Sequence, residues 1–159
     1  MSTKQVVLRD SEIRITLKRM VLQIAENYVD VSNLLLIGLN ERGSFLAKLI
    51  QTGLTETLPH LQVSFQQMDV LSDMPACDFN SEHILIVDDV LNSGKTAFIA
   101  AMSCMNAKIK TMETAFLAVR EHRSFPVAAN YVGLSIATTL QDHVLFDNEN
   151  ADNLNVYLQ

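Results

Sequence analysis

The sequence predicts a single Rossmann-like α/β domain: a mainly parallel central sheet flanked by helices, with a small hood formed from the two ends of the chain. Three observations predict it. Asn33–Leu39 (NLLLIGL) and Ile84–Val87 (ILIV) are unbroken apolar runs, the pattern of strands buried on both faces. Each passes through a short polar turn into a helical run, which is half of a βαβ unit. Thr114–Val119 (TAFLAV) repeats the buried-strand pattern after the second helix. Open sheets of this kind bind ligands in the crevice at the carboxyl ends of their strands. The turns after these strands are therefore the places to look for chemistry.

Taken in order, the chain opens with Val6-Val7-Leu8, a short strand or arm. Asp10 is placed to cap a helix whose apolar residues Ile13, Leu17, Met20, Val21, Ile24 and Tyr28 recur by threes and fours. Arg14 and Lys18 fall one turn apart on its other side and read as a solvated face rather than an RNA-binding stripe. After Asn33–Leu39, the turn Asn40-Glu41-Arg42-Gly43 leads into a helix expected from Ser44 to about Thr52 and closed by Gly53. Leu61–Gln66 alternates, as a strand with one wet face does, and Asp69–Ser81, with Pro75, reads as a surface loop. The run Ala97–Met105 is helical, and His143–Phe146 and Val156–Leu158 read as closing strands around a polar connection.

At 159 residues the chain fits one domain with a substantial core, and its 48% hydrophobic content is globular. A net charge of −6 argues against general affinity for nucleic acid or an anionic membrane. No apolar run approaches membrane-spanning length and the N-terminus lacks a signal-peptide core, so a cytoplasmic location is expected. Cys77 and Cys104 lack zinc-site spacing; Cys104 reads as core.

The densest chemistry follows Ile84–Val87. Asp88 and Asp89 come at once, then Val90-Leu91 and the turn Asn92-Ser93-Gly94-Lys95-Thr96. Gly94 lets backbone approach a ligand, and successive N–H groups at a helix start form a nest for an anion. Ser93 and Thr96 add hydroxyls and Lys95 adds a charge, so a phosphate monoester suits the loop. Ionised carboxylates only accept hydrogen bonds, so Asp88 and Asp89 suit the hydroxyls of a sugar attached to that phosphate. Ser93-Gly94-Lys95-Thr96 has the tail of a Walker A loop, but the glycine that motif needs is Asp89 here. In the earlier turn, Arg42 is suited to a bidentate phosphate contact and Gly43 to presenting a backbone amide.

Val87–Thr96 (VDDVLNSGKT) resembles the phosphoribosyl pyrophosphate (PRPP) motif of type I phosphoribosyltransferases, and is most similar to that of the pyrimidine-operon regulator and uracil phosphoribosyltransferase (PyrR) type. The resemblance implies that Asp88 and Asp89 hold the ribose hydroxyls and Asn92–Thr96 the 5′-phosphate. It assigns Arg42 and Gly43 to pyrophosphate, and Mg²⁺ to a place between PRPP and the acids, held by Asp88 and Asp89 indirectly. Arg120, His122, Arg123, Pro126, Tyr131 and Gly133 match a second family segment. That segment implies base recognition through Arg120 and backbone groups near Val132 and Gly133. Two departures stand out. Asn40-Glu41 replaces the family's Lys-Thr pair, and Gln66-Gln67-Met68-Asp69 stands where a mobile lid usually opens with Tyr-Arg-Asp-Asp. The implied activity is transfer of a phosphoribosyl group from PRPP to a nucleobase, with uracil favoured, in a homodimer or larger homo-oligomer. The alternatives are a PRPP or nucleotide sensor that has lost its lid chemistry and an RNA-binding attenuator. The acidic balance lowers the attenuator, since phosphate contacts supply most non-specific RNA affinity.

Overall fold

The structure is a computed structural model describing residues 4–70, 80–106 and 108–159. Its elements run β1 (Gln5–Arg9), α1 (Asp10–Asn27), β2 (Asn33–Leu39), α2 (Asn40–Thr57), β3 (Gln62–Met68), β4 (His83–Leu91), α3 (Lys95–Cys104), β5 (Thr111–Arg120), β6 (Tyr131–Ile136), β7 (Val144–Asp147) and β8 (Asn155–Leu158). Five strands in the order β3-β2-β4-β5-β6 form the central sheet, and every pairing is parallel. The chain leaves β2 in one direction for β3, then returns past β2 to β4 and continues outward. The order therefore reverses between β2 and β4, the switch point where such sheets open a crevice.

The unbroken apolar runs follow from burial on both faces. Leu34, Leu36, Leu85, Val87, Ala115 and Leu117 pack with α1 and α2, while Leu35, Ile37, Ile84, Ile86 and Phe116 join the α3 side. All six apolar positions predicted for α1 are buried. The hood is a separate antiparallel sheet, β1-β8-β7, so both chain ends meet in one unit. Phe146 of β7 lies 6.2 Å from Phe45 of α2, centroid to centroid, which ties the hood to the domain. At the foot of β5, Glu113 accepts from the hydroxyls of Tyr28, which follows α1, and Tyr131, which opens β6, both at 2.8 Å, so both buried hydroxyls are satisfied. No helix among the described residues is long and apolar enough to cross a membrane.

Several boundaries differ from the sequence expectation. Asp10 does not cap α1 but opens it. Its carboxylate accepts from the Leu154 N–H at 3.2 Å and from Arg14 Nε at 2.8 Å, tying α1 to the hood. The Arg9 N–H is instead taken by Glu12 Oε2 at 2.9 Å. Gly53 does not close α2, which runs on to Thr57. A Cβ there would come within 2.9 Å of Val21 Cγ2, so this glycine serves the close crossing of α1 and α2. α2 also starts earlier, at Asn40, and α3 starts at Lys95 rather than Ala97. The Asp69–Ser81 loop lies largely outside the described residues, as does Cys77. Cys104 is in the core.

Candidate active site

β4 carries the centre of the site. The strand does not stop at Val87: Asp88 and Asp89 are still in it, as are Val90 and Leu91. Alternation sends successive side chains to opposite faces. Asp88 accordingly faces inward, 9% exposed, while Asp89 is only partly buried. Asp88 Oδ1 accepts the Asp89 N–H at 2.9 Å. Burial pushes the Asp88 carboxyl well above the usual carboxylate range, and the neighbouring Asp89 charge adds to the rise. Arg42 Nη1 comes to 4.0 Å from Asp89 Oδ2, a contact that links the first turn of α2 to β4 across the switch point.

Between these elements lies a cleft of about 730 Å³. Leu39 lines it at the end of β2, Asn40, Glu41 and Arg42 from α2, Asp88, Asp89 and Val90 from β4, and Asn92, Thr96 and Asp69 complete it. Ser93, Gly94 and Lys95 line a smaller recess of about 50 Å³ next to it, with Asp88, Val90, Asn92 and Thr96 common to both. Gly94 takes the left-handed conformation, φ 86°, immediately before α3. This bend turns the loop's backbone amides into the helix start. Ser93 Oγ accepts the Lys95 N–H at 3.3 Å, and the Ser93 carbonyl accepts the N–H groups of Ser124 and Phe125, both at 3.0 Å. The loop is thus held from below by the segment after β5.

Gly43 is placed differently from the other predicted groups. It is buried in the first turn of α2, where a Cβ would meet Val87 O at 2.6 Å and Asp88 Oδ1 at 3.0 Å. Its smallness lets α2 press against the strand that carries the acids. The residues that the resemblance assigns to the base, Arg120, Val132 and Gly133, do not line the cleft. Arg120, at the carboxyl end of β5, donates from Nε to Thr138 Oγ1 and from Nη2 to the Thr139 carbonyl, each at 2.9 Å. Val132 and Gly133 lie in β6, and their carbonyls accept from Arg19 Nη2 of α1 at 3.2 and 2.6 Å. Gln67 is the penultimate residue of β3 and donates to Asp69 Oδ1 at 3.0 Å.

Sequence reasoning missed Asn40 as a shaping residue. It holds φ 53°, and its Oδ1 accepts the Val70 N–H at 3.1 Å, so it bends the chain at the cleft wall. Asparagine after a buried strand is a recognisable signal for that left-handed conformation. Asp69, reached only through the parallel pairing of β3 with β2, carries no such local signal.

The donor set suits a hard divalent cation only when it is shared with substrate. Among the described residues there is no cluster of three or more His, Cys, Asp or Glu side chains able to hold a metal. Asp88 and Asp89 offer oxygen ligands beside a polar cleft, which fits an ion such as Mg²⁺ whose other ligands are phosphate oxygens and water.

A glycine-bent loop at a helix start, beside paired acids at a switch point, is suited to a sugar phosphate, and the comparisons give the family. Residues 7–147 match the model described as the phosphoribosyl transferase domain, and the chain belongs to that family. Within it, the chain is 31% identical to the bifunctional protein PyrR of Macrococcus caseolyticus (strain JCSC5402), with 98% of this chain and 99% of the relative covered. It is 33% identical to the bifunctional protein PyrR of Caldicellulosiruptor bescii, with 92% and 91% covered. Among solved structures, the hypoxanthine phosphoribosyltransferase of Trypanosoma cruzi superposes with a TM-score of 0.76 at 19% identity, covering 96% of this chain and 95% of that one. A hypoxanthine-guanine phosphoribosyltransferase from Bacillus anthracis gives 0.68 at 18% identity, covering 87% and 86%. At such identities the shared property is the fold.

Proposed function

We propose that this protein transfers the 5-phosphoribosyl group of PRPP to a nitrogen of a nucleobase, with uracil as the favoured base, and releases pyrophosphate. The observation that carries the reading is the adjacency of the Asp88–Asp89 pair to the Ser93–Thr96 nest around one cleft. In this reading the nest takes the 5′-phosphate, the acids take the ribose 2′- and 3′-hydroxyls, and Arg42 takes pyrophosphate. Mg²⁺, when bound with PRPP, supplies charge neutralisation on the phosphate oxygens. The base lies toward the carboxyl end of β5, where Arg120 stands, while the Val132 and Gly133 carbonyls are already taken by Arg19. The bond from the ribose C1′ to pyrophosphate breaks as the base nitrogen attacks, so positive charge develops on the sugar. The protein's part is positioning and electrostatic stabilisation, which needs no side-chain nucleophile. The resemblance of Val87–Thr96 to the PyrR type is the ground for a pyrimidine base and for a cytoplasmic enzyme.

Glu41 in the cleft and Gln67 at the lid position favour a second reading, in which PRPP or nucleotide binds but turns over slowly. A carboxylate near pyrophosphate opposes it, and glutamine brings no charge to the leaving group. The net charge of −6 weighs against a role in RNA attenuation. Incubation with PRPP, Mg²⁺ and each nucleobase, with pyrophosphate and nucleotide both measured, separates these readings. Uridine monophosphate formed from uracil supports the transferase. PRPP binding by calorimetry without product from any base supports the sensor, and no binding of PRPP at all overturns both.

A further inference from the structure

A second cleft, of about 660 Å³, opens at the opposite edge of the sheet, beneath the amino ends of β2, β4 and β5. The register that pairs Leu35 with Ile84 and His83 with Thr111 sets Asn33, Glu82 and Lys110 in one row across the three strands. β2 is seven residues long, so this cleft lies about 23 Å from the one that holds Asp88 and Asp89. Among the described residues none lines both. The middle of the new cleft is fixed by its own contacts. Ser81 Oγ donates to the His83 carbonyl at 2.9 Å, His83 Nδ1 lies 2.7 Å from Thr111 Oγ1, and the His83 ring stands edge-on to Tyr28, centroids 6.3 Å apart. Lys110 is paired with Glu82 at 2.7 Å. Lys108, by contrast, meets no carboxylate among the described residues, and its Nζ reaches only Asn80 Oδ1, at 3.3 Å. At the other end, beside the start of β2, the side chains of Asp30, Ser32 and Asn33 make no hydrogen bond or ion pair among the described residues.

An unpaired cation and an unpaired carboxylate thus line one cleft from strands two places apart, a separation of roughly 10 Å. That is too far for them to pair with each other. A ligand that satisfies both carries an anion at one end and N–H donors at the other, because an ionised carboxylate only accepts. A nucleoside monophosphate has this form. Its phosphate meets Lys108, its ribose hydroxyls meet Ser32 and Asn33, and an exocyclic amino group on the base donates to Asp30. The cleft volume falls within the range of small-molecule sites. Inorganic phosphate leaves Asp30 unmet, and a uracil ring brings it no amino group. We propose that this amino-edge cleft is a second ligand site, for a nucleoside monophosphate whose base bears an exocyclic amino group. It shares no residue with the Asp88–Asp89 cleft, so it is independent of the transferase reading.

Amide chemical shifts of the full chain, titrated with adenosine monophosphate and with uridine monophosphate, test it, because they report where each nucleotide binds. Adenosine monophosphate is expected to shift the amides of Ser32, Asn33, Ser81 and Lys108, and to do so equally in a Gly94→Val background. Uridine monophosphate should act on these amides about tenfold more weakly, for want of the amino group. Lys108→Glu should weaken adenosine monophosphate there by about ten- to a hundredfold, while ribose 5-phosphate still shifts Ser93–Thr96 as in the wild type. Asp30→Ala should bring adenosine monophosphate down to the level of uridine monophosphate. Both substituted side chains are exposed, so each variant keeps the fold, which circular dichroism checks. Shifts confined to Ser93–Thr96 overturn the proposal, as does amino-edge binding indifferent to Lys108→Glu. Equal affinity for the two nucleotides at the amino edge overturns the assignment of the base to Asp30.

Discussion

Asp88 is held where its own charge is disfavoured. Burial and the adjacent Asp89 raise its pKa above the usual 3.8, so the folded protein keeps a proton that the unfolded chain gives up. The sign follows by linkage. The favourable contribution is complete below about 3.8 and is lost as pH rises toward the folded-state value. Asp88→Asn keeps an acceptor for the Asp89 N–H and removes the penalty. It should therefore melt higher than wild type near neutrality, with the difference shrinking as the pH falls toward 3.8. Melting curves across that range check the direction. Asp89→Asn, at the neighbouring charge, should lose about ten- to a hundredfold in affinity for ribose 5-phosphate, the equivalent of one charge-assisted hydrogen bond. Gly94 is the other decisive residue. At φ 86° a side chain is strained, and a Cβ would lie 3.3 Å from the Phe125 carbonyl. Gly94→Val should abolish phosphate binding by calorimetry while costing only about 1–2 kcal/mol of stability. Normal ribose 5-phosphate affinity in this variant would place the phosphate elsewhere.

At the scale of elements, the site depends on how closely α2 approaches β4. Gly43 makes that contact possible, because any Cβ would run into the β4 backbone at Val87 and Asp88. Backbone cannot swing aside as a side chain can, so Gly43→Ala should lower unfolding stability by about 1–3 kcal/mol in denaturant titrations. It should also weaken PRPP binding, since the displaced strand segment carries the acids. Gly53 makes a useful contrast. Its neighbour is the Val21 side chain rather than backbone, and the helix gains from alanine, so Gly53→Ala should cost less than Gly43→Ala in the same titrations. Both glycines look alike in sequence. Gly53 reads as a helix stop by local rules, yet α2 continues because the crossing with α1 selects a residue without a side chain at that point.

At the scale of the molecule, the cleft joins segments far apart in the chain: Asn40–Arg42, Asp69, Asp88–Val90, Asn92 and Thr96. Parallel pairing of β3 with β2 carries Gln67 alongside Gly38 and brings Asp69 to the cleft rim. An arginine at the Gln67 position would add a cation near the departing pyrophosphate. One such electrostatic donor contributes about a hundred- to a thousandfold in rate. Gln67→Arg should accordingly raise kcat more than it tightens PRPP binding, because the charge on the leaving group is greatest as the bond breaks. Steady-state kinetics with uracil check this. A wild type already fast and unaffected by the substitution would assign the role to Arg42 alone.

The sequence by itself determined the α/β class, the buried strands and the sugar-phosphate motif. Their signals are local: Ile84–Val87, the two acids and Asn92–Thr96 are contiguous, and apolar runs without alternation report burial on both faces. The hood was legible only as strands at the two chain ends; its antiparallel pairing depends on β1 and β8 meeting. Tertiary structure alone decided that the strand order reverses between β2 and β4, and so that Arg42 faces Asp89. It also decided that Asp10 ties α1 to the hood, that Arg19 holds the β6 carbonyls and that Gly43 is a packing residue. These contacts join residues remote in the chain, and no periodicity or turn chemistry encodes which distant partner a side chain will meet.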